Sequence, residues 1–127
     1  MKNRFRFRVY DKYYKGYMQE GSIDIPKVFD GSSFIVEQCT GLKDCNGKLI
    51  YEGDIIRTKI ETDNEYKQII GEIVFWRLEW TIKTKSMFYP LSCAGKFSNG
   101  IKMPKQCDLT EIIGNIHETP ELLKEID

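Results

Sequence analysis

The chain has 127 residues, 30% of them charged and 41% hydrophobic, with a formal net charge of zero. That length builds one domain with a real core rather than two, so residues 1–127 are taken as a single domain. Zero net charge argues against global attraction to nucleic acid but leaves room for a local patch.

No apolar run follows the basic N-terminal residues, so no signal peptide is expected, and no stretch is long or apolar enough to span a membrane. The four cysteines are expected as reduced thiols in a cytoplasmic protein, without a disulfide framework.

Arg4, Phe5, Arg6, Phe7, Arg8 and Val9 alternate strictly, the period of a half-buried strand. Phe5, Phe7 and Val9 are expected to face the core, with Arg4, Arg6 and Arg8 facing out. Tyr10 to Gly16 reads as a turn, and Tyr17 and Met18 begin a returning strand. Gly21 to Ser33 is irregular, with Pro26 and a Gly-Ser-Ser break at its end. Phe34 to Cys39 is the next strand.

The stretch from Cys39 to Arg57 organises the middle of the chain. Thr40-Gly41 is expected to break the preceding strand. Lys43 to Lys48 is a polar excursion, and Asn46-Gly47 is a strong hairpin pair because both residues tolerate positive φ. Glu52-Gly53-Asp54 makes a second turn. Gly53 there is expected at positive φ, and Asp54 is expected to accept backbone amide hydrogen bonds and hold the turn's shape. Ile55 to Ile60 leaves as a strand.

Residues 61–66 read as a polar loop or hairpin tip. Lys67 to Trp76 is a strand bent at Gly71, Arg77-Leu78-Glu79 a tight return, and Trp80 to Thr84 an alternating strand. Met87 to Lys105 is irregular, with a short strand near Tyr89 to Ala94. Leu109 to His117 supplies a closing strand, or a short helix over Leu109 to Ile113. Thr119-Pro120-Glu121 reads as a helix start, with Thr as the cap and Pro in the first position. Leu122, Leu123 and Ile126 give that helix an apolar side. The economical architecture is mainly β: about five short strands in a small, partly open barrel of SH3-like shape, with a short C-terminal helix. An irregular α+β domain is the alternative.

The segments Arg4 to Lys12, Gln38 to Lys48 with Ile50 to Ile55, Gly71 to Phe75, and Ile113 to Leu123 fall in an order that resembles the YopX family of phage and prophage proteins. The resemblance implies a small β-rich domain encoded by a phage or prophage. It implies no established activity and no agreed active site. Cys39 and Cys45 stand where an aromatic and a polar or charged residue are more usual in that family, and His117 where Tyr is often found.

The residues suggest three classes of function. Arg4, Arg6 and Arg8 on one strand face, with Lys12 close by, could contact successive phosphates or stack on bases; against this stands a solvated outer face whose charge blocks edge pairing. Tyr10, Tyr13, Tyr14 and Tyr17 could anchor a protein interface, with Tyr66, Tyr89, Trp76 and Trp80 as further aromatics, or simply line a β core. Glu52, Asp54 and His117 could serve a hydrolase, but no nucleophile elbow, metal motif or phosphate loop accompanies them. The gaps between Cys39 and Cys45 and between Cys93 and Cys107 do not match the short spacings of structural zinc sites, so no metal and no cofactor are expected.

The expectation is a non-enzymatic accessory or regulatory protein acting through self-association and binding to a phage or host protein, with no membrane contact. Nucleic-acid binding through the arginine face is the alternative, and a hydrolase a distant one.

Overall fold

The computed structural model describes residues 6–21, 34–62, 65–94 and 109–124. Arg4, Phe5, Cys107 and Ile126 lie outside the described residues, as do Ser22 to Ser33 and Gly95 to Asp108. Strands dominate: β1 Phe7–Asp11, β2 Gly16–Gly21, β3 Phe34–Lys43, β4 Leu49–Tyr51, β5 Asp54–Thr62, β6 Glu65–Trp76, β7 Glu79–Lys83, β8 Phe88–Pro90 and β9 Glu111–Asn115. They form a four-stranded sheet in the order β2-β1-β3-β4 and a curled five-stranded sheet in the order β8-β7-β6-β5-β9. The mainly-β, half-barrel expectation therefore holds, with more strands than the roughly five expected of so compact a barrel.

The core follows from the period of the long strands. Along β5 the side chains of Ile56, Thr58 and Ile60 are buried while Arg57 and Lys59 are exposed, the alternation a strand imposes. Ile69 and Ile73 on β6, Ile82 on β7 and Leu91 just after β8 meet them on the same side. Ile50 from β4 closes the cluster from the other sheet, with Leu42, Trp80, Tyr89 and Ile112 packed around it.

The turns place this framework. The β3–β4 hairpin forms around Gly47 at φ 82°, and Asp44 holds it by accepting from the amides of Asn46 and Lys48, each at 2.9 Å. Gly53, at φ 88°, turns β4 into β5, and the Asp54 carboxylate accepts from the Tyr51 amide at 2.8 Å. Both glycine expectations and the turn role of Asp54 are met. The β6–β7 return is a hairpin whose central residues, Arg77 and Leu78, have φ of 50° and 68°.

Three local expectations are corrected and one is met. β3 does not stop at Thr40-Gly41 but runs to Lys43. Gly41 sits inside it at φ 87°, and the pairing with β4 shifts between Cys39 and Lys43, so the glycine makes a bulge, not a break. Tyr10 and Asp11 belong to β1 rather than to the turn. The stretch 61–66, read as a polar loop or hairpin tip, is the end of the β5–β6 hairpin, with the strands paired up to Thr62 and Glu65. The segment expected as a C-terminal helix is a 3₁₀ turn, Pro120–Lys124. Thr119 does not cap it: its hydroxyl reaches back to the Asn115 carbonyl at 3.2 Å and receives the Asn115 amide at 3.1 Å.

Candidate functional site

β1 has both faces covered. Val9 points into one side and is fully buried; Arg8 and Tyr10 point to the other and are only 9% and 6% exposed. The arginine face expected in solvent is therefore corrected at Arg8. The β4–β5 corner packs onto that face and brings Asp54, and the turn after β9 brings His117. The Arg8 guanidinium donates from Nε to Glu37 Oε1 at 2.8 Å and from Nη2 to the Glu52 carbonyl at 3.2 Å, and its Nη1 pairs with Asp54 Oδ1 at 2.8 Å. It lies over the rings of Tyr17 and Tyr51, 4.4 and 4.9 Å from their centroids. Arg6, half-buried, is also engaged with neighbours, while Lys12 is exposed in the β1–β2 turn.

Glu37 is the hub. It sits opposite Arg8 in the β1–β3 ladder. Its Oε1 also accepts from the Tyr17 hydroxyl at 2.9 Å, and its Oε2 lies 2.8 Å from His117 Nε2. His117 stacks flat on Tyr10, 4.0 Å between centroids. The cluster thus joins Arg8 and Glu37 of one sheet to Asp54 of the other and to His117 in the turn that follows β9. Gly53 is required beside it: a Cβ there would run into the Glu37 carboxylate.

Burial dominates the electrostatics. It pushes the Asp54 carboxyl up to about 6, against the opposing pull of Arg8 and the Tyr51 amide. Desolvation likewise raises Glu52 and Glu72 above the ordinary carboxylate range and raises Tyr17 far above an ordinary phenol. Desolvation pulls the Arg8 guanidinium down, but Asp54 and then Glu37 outweigh it and leave it more basic than usual.

An open cleft of about 730 Å³ adjoins the cluster, between Leu49 and Tyr51 on one side and Ile112 and Asn115 on the other, and the buried pair Arg8–Asp54 also lines it. Asp44 ties the β3–β4 hairpin to β9 by accepting from the Ile112 amide at 3.1 Å. Glu52, Asp54 and His117 do come into one neighbourhood, but the carboxylate that meets His117 is Glu37. No group of His, Cys, Asp and Glu among the described residues is arranged to hold a metal ion.

The expected tyrosine interface divides. Tyr10 is buried and Tyr17 half-buried in the ion cluster, whereas Tyr13 and Tyr14 stand 78% and 80% exposed. Their turn is held by the Asp11 carboxylate, which accepts from both amides. Further exposed apolar side chains lie on the curled sheet. Trp76 and Phe88 share one face and Phe75 and Trp80 the other, while Leu78 stands in the β6–β7 turn and Met87 in the β7–β8 turn, at the opposite end of β7. Trp76 stacks on Phe88 at 4.3 Å, Arg77 covers Trp76 at 4.4 Å, and Phe75 meets Trp80 edge-on at 5.0 Å.

Sequence reasoning offered Trp76 as an interface aromatic but did not find Glu37, Asp44 or the exposed Leu78 and Phe88. One signal was available for Glu37: a lone carboxylate following Phe34-Ile35-Val36 in a strand needs a partner if it is buried. Nothing in the local pattern named that partner.

These features define a small β protein of two sheets clasped at one corner by a buried ion cluster. The chain belongs to the YopX family: the model of that family, described as YopX protein, matches residues 12–124. No curated protein matches the chain. Among solved structures, it is similar to protein EF1440 from Enterococcus faecalis, at 22% identity over 93% of this chain and 96% of that one, with a TM-score of 0.50. That likeness speaks to the fold alone. No helix among the described residues is long and apolar enough to cross a membrane.

Proposed function

We propose that this chain is a non-enzymatic accessory or regulatory protein of a phage or prophage, working in the bacterial cytoplasm through self-association and protein binding. One observation carries the reading: Trp76 and Phe88, stacked on each other at 4.3 Å, stand exposed on one face of the curled sheet. Exposed, stacked aromatics covered by an arginine have the composition of an interface centre. The titratable cluster supports the non-enzymatic part. Arg8, Glu37, Asp54 and His117 direct their polar atoms at one another, as groups that hold two sheets together do.

The test is light scattering over a wide range of protein concentration. The expected result is a mass above that of the single 14.9 kDa chain, rising with concentration. A monomer throughout would remove self-association from the reading.

A further inference from the structure

We infer that the β6–β7 hairpin tip is the self-association site, and that it meets the same tip of a second copy across a two-fold axis. The inference rests on the self-association reading above and names its surface and symmetry.

The first observation is the turn. A two-residue hairpin loop of this type needs φ above zero at both central positions and is ordinarily made with Asn-Gly. Here the two positions are Arg77 and Leu78, at φ 50° and 68°. A leucine is among the residues least suited to that backbone, and its side chain gains nothing inside this chain, for it is 91% exposed. A strained turn that holds an apolar side chain out in water is costly twice over. Such strain persists where the surroundings and the function require it.

The second observation is what surrounds Leu78. Trp76 lies two residues before it, and Phe88, stacked on Trp76, extends the apolar surface across to the edge strand. Trp and Arg are the residue types that carry most binding energy at interface centres. Arg77 and Trp76 stand here already stacked, so little side-chain freedom remains to be lost on contact.

The third observation is charge, and it selects the partner. Arg77 and Glu79 flank Leu78 on either side, both exposed, and Glu79 lies opposite Trp76 in the ladder. In a two-fold contact, if residue i meets residue j then j also meets i. Two such tips laid against each other about Leu78 set Arg77 of each copy beside Glu79 of the other, forming two ion pairs around an apolar centre. The patch is complementary to itself. Lys83 and Lys85, also exposed, stay at the rim. The tyrosine turn lacks this property, since Lys12 and Lys15 flank Tyr13 and Tyr14 with like charge and would repel in a two-fold contact.

The experiment uses the full chain and analytical ultracentrifugation, with urea unfolding as a check on each variant. Four variants accompany the wild type: Arg77→Asn/Leu78→Gly, Arg77→Glu, Glu79→Arg, and the exchange Arg77→Glu/Glu79→Arg. The wild type is expected to dimerise. The Asn-Gly tip is expected to be monomeric yet to unfold at a higher urea concentration, because it relaxes the turn; loss of dimer then cannot come from a failure to fold. Each single reversal is expected to weaken the dimer at least about tenfold, and the exchange to restore it to within about threefold.

A dimer that survives the Asn-Gly tip overturns the inference and leaves self-association to another surface. Single reversals without effect, or an exchange that fails to restore, overturn the two-fold pairing. A wild type that is monomeric at every concentration overturns this inference together with the reading beneath it.

Discussion

At the scale of single residues, two glycines with nearly the same backbone carry different weight. Gly47 and Gly53 have φ of 82° and 88°, so any substitution meets left-handed strain of about 1–2 kcal/mol. An added Cβ at Gly47 meets nothing, whereas at Gly53 it meets the Glu37 carboxylate and would displace the hub of the ion cluster. Gly47→Ala is expected to lower stability by about 1 kcal/mol. Gly53→Ala should lower it by about 3 kcal/mol or more, since strain and a disrupted buried ion pair add. Urea midpoints measure both, and equal losses would mean that Glu37 yields freely. Asp54 makes a second prediction. Burial lifts its carboxyl from 3.8 to about 6 in the folded chain. The native state therefore holds the proton that the unfolded chain has released, and stability falls as pH rises from about 4 through about 6. The full effect is about 3 kcal/mol. Asp54→Asn removes the titration, so the wild type should lose ground against this variant across that window, and a difference independent of pH would contradict the assignment.

At the scale of the element, β1 shows where alternation misleads. The period of Phe7, Arg8 and Val9 places Arg8 opposite Val9, and that much holds. Period says which side chains share a face, not what covers it. The covered face of β1 turns Arg8 from a surface cation into an arginine held between the buried carboxylates of Glu37 and Asp54. Arg8→Met is therefore expected to cost about 3–5 kcal/mol, because it leaves buried carboxylates uncompensated. Adding Glu37→Gln and Asp54→Asn to it should recover part of the loss, since an apolar or neutral cluster needs no counter-charge. Thermal unfolding of the single and triple variants decides between this and an arginine of the solvated face, which would leave the melting temperature within about 2 °C. The turns were legible for the opposite reason. Gly47, Gly53 and Asp54 act through their own backbone and their near neighbours, so residue chemistry alone places them. The same local logic did not carry to Thr119, whose hydroxyl bonds back to Asn115 across the turn from β9.

At the scale of the whole molecule, the two sheets share one apolar core and one ion cluster. Ile50 and Leu42 of the first sheet pack among the isoleucines of the second, and Arg8, Glu37, Asp54 and His117 bind the corner. The sheets are expected to unfold together. Both tryptophans, Trp76 and Trp80, lie in the curled sheet, so their fluorescence follows that sheet while far-ultraviolet circular dichroism follows all strands. Coincident urea transitions are expected; separated ones would show that the corner does not couple the sheets. The sequence by itself determined a mainly β chain, the positions of most strands, the two glycine turns and the family, because period and turn chemistry act over a few residues. Only the tertiary structure decided that Arg8 is buried, that Glu37 rather than Glu52 meets His117, and that Phe75, Trp76, Leu78 and Phe88 are left outside. Those outcomes depend on which face of one strand another segment covers, and pairs such as Arg8 with Asp54 or Glu37 with His117 are far apart along the chain. No local pattern carries that information; the packing of one sheet against the other supplies it.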